Sequence, residues 1–235
     1  MSGGRGDGDE GRDPAGALRA LKRRGCLVLL TGRTPPATSR RALRRALGSP
    51  RVPRRRVVVL ADPAPEAPDP SADGSADAYG AVPDARVVHA GDVVDAAAPG
   101  GLDVVLDRLD AALDEADADA EADADADADG SSRSPARLRV VVDAATPLVD
   151  AWGVEAVGAF LADLGDVARS ARGIVAARLD LDDADPVTAD LAAASDVRIE
   201  LRDDCDVGCA CPPARDGPCQ RVHLPGRGPS PWTPL

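Results

Sequence analysis

The chain has 235 residues, a formal net charge of −12 and only 2% aromatic residues, enough length for one sizeable domain whose core must be built from Val, Leu and Ala. A single lysine, Lys22, stands against 27 arginines amid abundant Asp and Ala; GC-rich codon usage produces such a bias, and so does adaptation to molar salt, which shortens the screening length to about 3 Å. No run approaches the roughly 18 apolar residues of a membrane span, and five cysteines in a chain without a signal-like segment are expected to be reduced thiols or metal ligands rather than a disulfide framework.

In chain order, residues 1–14 are Gly- and Asp-rich without apolar periodicity and read as a disordered tail. They lack the apolar segment of a signal peptide, so a soluble, cytoplasmic protein is expected. A single domain is expected over 15–235. Its first strand is CLVLLTG, 26–32, followed by the loop RTPPAT and a helix SRRALRRAL. RVVVLA (56–61) and ARVVHA (85–90) are strands, separated by a Pro-, Asp- and Ser-rich loop at 61–85. Leu102, Val105, Leu106, Leu109 and Leu113 form a helical stripe. The acidic run at 114–135 offers only Ala to bury and reads as a second solvated loop. LRVVVDA (138–144) and GIVAARLD (173–180) are strands flanking a helix at 151–169, whose apolar stripe is Val157, Phe160, Leu161 and Leu164. DVRIELRD and QRVHLP close the chain as an antiparallel hairpin joined by a cysteine-bearing loop. Short β-branched runs alternating with helices imply a mostly parallel sheet covered on both faces.

Two stretches carry nucleotide-site chemistry. A phosphate loop reads G-x-x-x-x-G-K-[ST], and on Gly32 that register puts Ala37 at the second glycine, Thr38 at the lysine and Ser39 at the hydroxyl. Pro35 and Pro36 remove N–H donors, and Thr38 lacks the lysine charge. The structural reading is a turn in which Thr38 or Ser39 caps the helix; the functional one is an anion held at the helix amino end. Asp143, ending a buried strand, stands where a phosphate-loop enzyme keeps its Mg²⁺-side carboxylate, though such a residue equally caps a turn.

The succession LKRRGCLVLLTG, RRRVVVLAD, LRVVVDAATPLVDAWGVEAVGAFLADL, ASDVRIELRD and QRVHLPGRGPSPWTPL resembles a family of uncharacterised haloarchaeal proteins, some labelled halobacterial transducer-like, that look like degenerate relatives of RecA-like, KaiC-type ATPases. The resemblance spans about 15–235 apart from the two low-complexity loops. It implies a three-layer RecA-like fold of the P-loop NTPase type, with Gly32 and Ser39 at phosphate-loop positions and Asp143 on the metal side. Catalytic glutamates are expected after the second strand, where this chain has LADPAP, so ATP with Mg²⁺ is a candidate ligand and hydrolysis is not implied.

Residues 14–60 hold twelve arginines and Lys22 without one acidic residue. Arg40, Arg41, Arg44 and Arg45 fall opposite Leu43 and Leu47 on a helix. The sharp reading is a nucleic-acid partner; against it stand the absence of an aromatic platform and pairing with the chain's own acidic surface. Cys205, Cys209, Cys211 and Cys219 could hold zinc, or be incidental loop thiols or redox cysteines, while Cys26 reads as a core residue. His89 and His223 read as packed strand residues, and Trp152 and Trp232 as anchors. The expected function is a non-catalytic regulatory or signalling module with a protein partner in a salt-adapted cytoplasm. The alternatives are a residual ATP binder and a nucleic-acid-associated protein.

Overall fold

A computed structural model describes residues 14–52, 54–61, 79, 85–96, 100–124, 138–204 and 217–235. Its elements are α1 (Pro14–Arg24), β1 (Cys26–Thr31), α2 (Pro36–Leu47), β2 (Arg55–Leu60), β3 (Ala85–His89), α3 (Gly91–Ala96), α4 (Gly101–Ala124), β4 (Leu138–Asp143), α5 (Ala145–Ser170), β5 (Ile174–Arg178), α6 (Pro186–Ala193), β6 (Val197–Arg202), β7 (Cys219–His223) and β8 (Thr233–Pro234). The eight strands form one sheet in the order β3-β2-β4-β5-β1-β6-β7-β8. Strands β1 to β6 pair in parallel. β7 and β8 pair antiparallel, the first as the expected hairpin with β6.

The period-2 geometry of the strands sorts their side chains onto two faces. Leu27, Leu29, Val57, Val59, Val140, Val142, Val175 and Ala177 meet Val105 and Leu109 of α4, Val157, Phe160, Leu161 and Leu164 of α5, and Leu191 of α6. On the other face Leu30, Val58, Leu60, Val141 and Ala176 meet Leu43 and Leu47 of α2. Cys26, Ile174 and Val197 meet Leu21 of α1. The result is a helix–sheet–helix sandwich. Leu43 and Leu47 are fully buried, each contributing about 2 kcal/mol of transfer free energy that holds α2 in place. Among the described residues no helix is long and apolar enough to cross a membrane.

Two local expectations are corrected. Helix α4 runs on to Ala124, so the first part of the acidic run assigned to a loop is helical. A helix satisfies its backbone hydrogen bonds internally, and Ala is the strongest helix former, so this stretch needs no buried face to continue. Residues 125–135, and 62–78 with 80–84 of the other proposed loop, lie outside the described residues. The helix expected at 151–169 begins at Ala145 and is interrupted at Gly153, whose φ of 81° and ψ of 165° break the helical path. Trp152 sits at that kink and packs on the core.

Strand order also sets where a ligand could approach. Adjacent β1 and β5 send their chains to opposite faces, β1 into α2 and β5 into α6, which opens a crevice beyond their carboxyl ends.

Candidate functional site

Gly32 stands at that crevice with a φ of +111°, and a Cβ there would lie 2.3 Å from the Leu201 carbonyl oxygen. Only glycine satisfies both demands. Its N–H donates to the Leu181 carbonyl at 2.8 Å, so the first amide of the phosphate-loop register is spent on the segment after β5. Pro35 is the N-cap of α2 and no side chain caps the helix. Thr38 and Ser39 are therefore not caps, as one reading of the sequence expected, but residues of the first turn. Pro36 takes the first helical position because its fixed φ suits it and its missing N–H costs nothing there.

Several of the donors a phosphate would need are engaged within the protein. The N–H groups of Thr38 and Ser39 reach the Pro35 carbonyl at 2.9 and 3.3 Å. The Ser39 hydroxyl donates to the carbonyls of Pro35 and Pro36 at 3.4 and 3.2 Å. The Thr38 hydroxyl donates to Asp203 Oδ1 at 2.8 Å, which sets one of the chain's own carboxylates at the positive end of the helix dipole.

Asp143 lies two strands from β1, with β5 between. Its Oδ2 accepts the Tyr79 hydroxyl at 2.9 Å and its Oδ1 accepts from Arg178 at 3.3 Å. Arg178 also pairs with Asp180 at 3.3 Å. The Asp143 side chain is 6% exposed, and Tyr79 is fully buried. Burial, and then the Asp143 charge, pushes the Tyr79 phenol well above its usual range, with Arg40 of α2 and Arg178 acting in the opposite sense. Guanidinium groups thus supply the positive charge that Mg²⁺ would bring. Among the described residues Asp143 bonds to Tyr79 and Arg178 rather than to Gly32, Thr38 or Ser39. This donor set does not suit Mg²⁺-ATP.

A dense polar cluster lies elsewhere, on one face of the paired β6 and β7. Glu200, 7% exposed, accepts from Arg221 and from Arg202 at 3.3 Å. His223 Nδ1 lies 2.9 Å from Arg198 Nη2. Arginine can only donate, so Nδ1 accepts and the ring proton sits on Nε2, which donates to Glu200 Oε2 at 3.2 Å. Arg198 Nε stands 3.0 Å from Asp183 Oδ1 without a directed hydrogen bond, an ionic contact, and the Thr31 hydroxyl donates to the same oxygen at 3.2 Å. The ring of Trp232 lies 4.3 Å from the Arg202 guanidinium and 4.8 Å from that of Arg221, a cation–π pair of contacts that ties the tail to the hairpin.

Ligand atoms of Asp183, Glu200 and His223 fall within 4.8 Å of one another, a donor set that metal sites use. Here Arg202 and Arg221 already hold Glu200 and Arg198 stands beside Asp183, so a divalent cation would compete with three guanidinium groups for these oxygens. The cluster is better described as a staple joining β1, the segment after β5, the hairpin and the tail. Sequence reasoning missed Asp183, Arg198, Glu200 and Arg221, and treated His223 as packing. The available signal was the alternation of charge in VRIELR and CQRVH, which puts Arg198, Glu200, Arg202, Arg221 and His223 on one face of a paired hairpin.

Between the two regions a cleft of about 420 Å³ is lined by Gly32, Arg33, Asp183, Glu200, Arg202 and Arg221 among others. Of the candidate zinc ligands, Cys205, Cys209 and Cys211 lie outside the described residues. Cys219 is buried, with its thiol 3.6 Å from the Asp204 carbonyl. Cys26 is buried in the core as expected. His89 is half-buried at the end of β3, where its carbonyl accepts from Arg108 at 2.6 Å.

No curated protein matches the chain. A family profile does match, across residues 25–201, from just before β1 into the β6 arm of the charge staple, and the chain accordingly belongs to DUF7504, a family of unknown function.

Proposed function

We propose that the chain is a non-catalytic regulatory or signalling module on a degenerate RecA-like fold. The observation that carries this reading is the engagement of Asp143, whose two carboxylate oxygens are taken by Tyr79 and Arg178. The spent amide of Gly32 and the Thr38–Asp203 hydrogen bond support it from the opposite side of the crevice. An ATPase needs those groups directed at phosphate and metal; in this chain they are directed at Leu181, Asp203, Tyr79 and Arg178. Such a module acts by presenting a surface rather than by turnover.

A second reading, residual ATP binding without efficient hydrolysis, draws support from the open cleft at the end of β1. Its lining includes Asp182, Asp183, Glu200 and Asp203 against Arg33, Arg202 and Arg221, a balance that repels a triphosphate. Thermal unfolding in molar KCl with and without millimolar Mg²⁺-ATP tests both. A ligand present at about 100 times its Kd stabilises by about 2.7 kcal/mol, a rise in Tm of several degrees. An unchanged Tm is expected. A rise of that size would overturn the first reading in favour of the second, and phosphate release above background would overturn both.

A further inference from the structure

The sheet separates the charge of this chain into two layers. Helices α1 and α2, packed on one face, contain eight basic residues and no acidic one. Helices α3 to α6 contain sixteen acidic residues and two basic ones, and the core contacts of α4, α5 and α6 lie on the other face. Among the described helices, basic and acidic side chains are thus carried on opposite sides of the sheet.

Within that face the structure divides the arginines by role. Arg56 is buried, and it donates to the carbonyls of Leu47, Ser49, Val52 and Arg54. Arg24 pairs with Asp196 at 3.6 Å and Arg33 with Asp182 at 3.5 Å. Arg41, Arg44 and Arg45 are exposed and line a cleft of about 420 Å³ with Gly48 and Ser49. Arg41 and Arg45 are one helical turn apart. Neither has an ion pair among the described residues.

We propose that this α2 surface, Arg41, Arg44 and Arg45 with the Ser49 hydroxyl, binds the phosphodiester backbone of nucleic acid without reading its sequence. Guanidinium forks and a hydroxyl are the groups that grip phosphate oxygens. Ala42, Leu43 and Leu47 are all buried against the sheet, so the surface offers charge and hydroxyl rather than apolar contact, which suits a polyanion. No aromatic residue lines the cleft, so bases have no stacking platform there. This inference stands apart from the reading of the nucleotide crevice, because it uses none of the residues around Asp143.

The test is fluorescence anisotropy of labelled mixed-sequence duplex DNA from about 50 to about 200 mM KCl. Expected are binding at the low end, a log–log salt slope of about −2 from phosphate contacts of Arg41 and Arg45, and affinities within about twofold for duplexes of different sequence. The variant R41E/R45E should weaken binding at least tenfold. R172E/R227E, exposed arginines away from α2 with the same change in net charge, should leave it within about threefold. Circular dichroism checks that each variant is folded, and R41Q/R45Q provides a milder loss should the charge reversal disturb α2. No binding at the lowest salt, equal loss in both double variants, or preferential binding of polyglutamate over DNA each overturns the proposal.

Discussion

The Tyr79 hydroxyl donates to Asp143 Oδ2 at 2.9 Å while Arg178 holds Oδ1 at 3.3 Å, so the carboxylate that closes β4 is sealed by a phenol and a guanidinium. The relationship makes a stability claim before it makes a functional one. Removing the hydroxyl in Tyr79→Phe leaves a buried acceptor short of a partner, expected to cost about 2 kcal/mol. Arg178→Ala strands the carboxylate itself, which is 6% exposed, expected to cost about 3 kcal/mol. Urea unfolding at fixed salt reads both. A Tyr79→Phe protein as stable as the parent would show that the seal contributes nothing.

Cys26 gives the alkaline limb of the stability curve. Burial, reinforced by the negative charge of Asp196, pushes its thiol up from 9.0 to about 11. Above pH 9 the unfolded chain releases this proton while the folded chain keeps it. The contribution is therefore complete below pH 9 and falls as pH rises toward 11, by about 3 kcal/mol over about two units. Tyr79, raised above its ordinary 10.0, adds a loss in the same direction starting above pH 10. Denaturant midpoints from pH 8 to 11 should decline in the parent, and Cys26→Ala should be flat between pH 9 and 10. An equal decline in the variant would assign that limb to other groups.

The staple around Glu200 predicts a spectroscopic signature. Glu200→Gln keeps the shape and removes the charge, so Arg202 and Arg221 lose the anion that holds them beside Trp232. Because Arg202 is 46% exposed, solvent screening limits the expected cost to about 2 kcal/mol. In a Trp152→Phe background, which leaves Trp232 as the one tryptophan, emission should move to the red as the ring is released. Chelator should change neither emission nor Tm, since guanidinium groups provide the positive charge at this cluster. An unmoved emission maximum in Glu200→Gln would detach the tail from the staple.

Strands and helices with a strong apolar signature were legible in the sequence. VVVL, RVVVD and the stripe of Val157, Phe160, Leu161 and Leu164 can satisfy their burial in only one way. The α/β class, the parallel sheet and the closing hairpin follow from them. The engagement of Asp143 was not legible, because Tyr79 lies in a segment whose composition carries no periodicity, 64 residues away. The charge staple was hidden for a related reason: its members come from β1, the segment after β5, β6 and β7, and only the pairing register of β6 with β7 brings them to one face. Thr38 and Ser39 were misjudged as caps because Pro36 was treated as a loop residue rather than a helix starter. Within the basic 14–60 segment, pairing of β2 in the sheet turns Arg56 inward while Arg55 stays half-buried.

That inward turn supports the last prediction. Arg56 is 1% exposed. Its Nε donates to the Leu47 carbonyl at 3.3 Å, one Nη to the Arg54 carbonyl at 3.3 Å, and the other to the carbonyls of Ser49 and Val52 at 2.8 and 2.9 Å. A planar fork with five N–H groups therefore closes the turn between α2 and β2 and satisfies the carbonyl at the end of α2, where a helix leaves its acceptors unpaired. Lysine carries the same charge but has a single nitrogen that cannot span these carbonyls. Arg56→Lys should thus destabilise by about 2 kcal/mol and Arg56→Leu by about 3 kcal/mol, since buried carbonyls are then left without donors. Neighbouring Arg45→Lys, exposed on α2, should change stability by less than about 0.5 kcal/mol. Urea midpoints measured side by side decide the matter. Equal stability of Arg56→Lys and the parent would mean that charge alone, and not the geometry of the fork, holds the turn that presents the basic face.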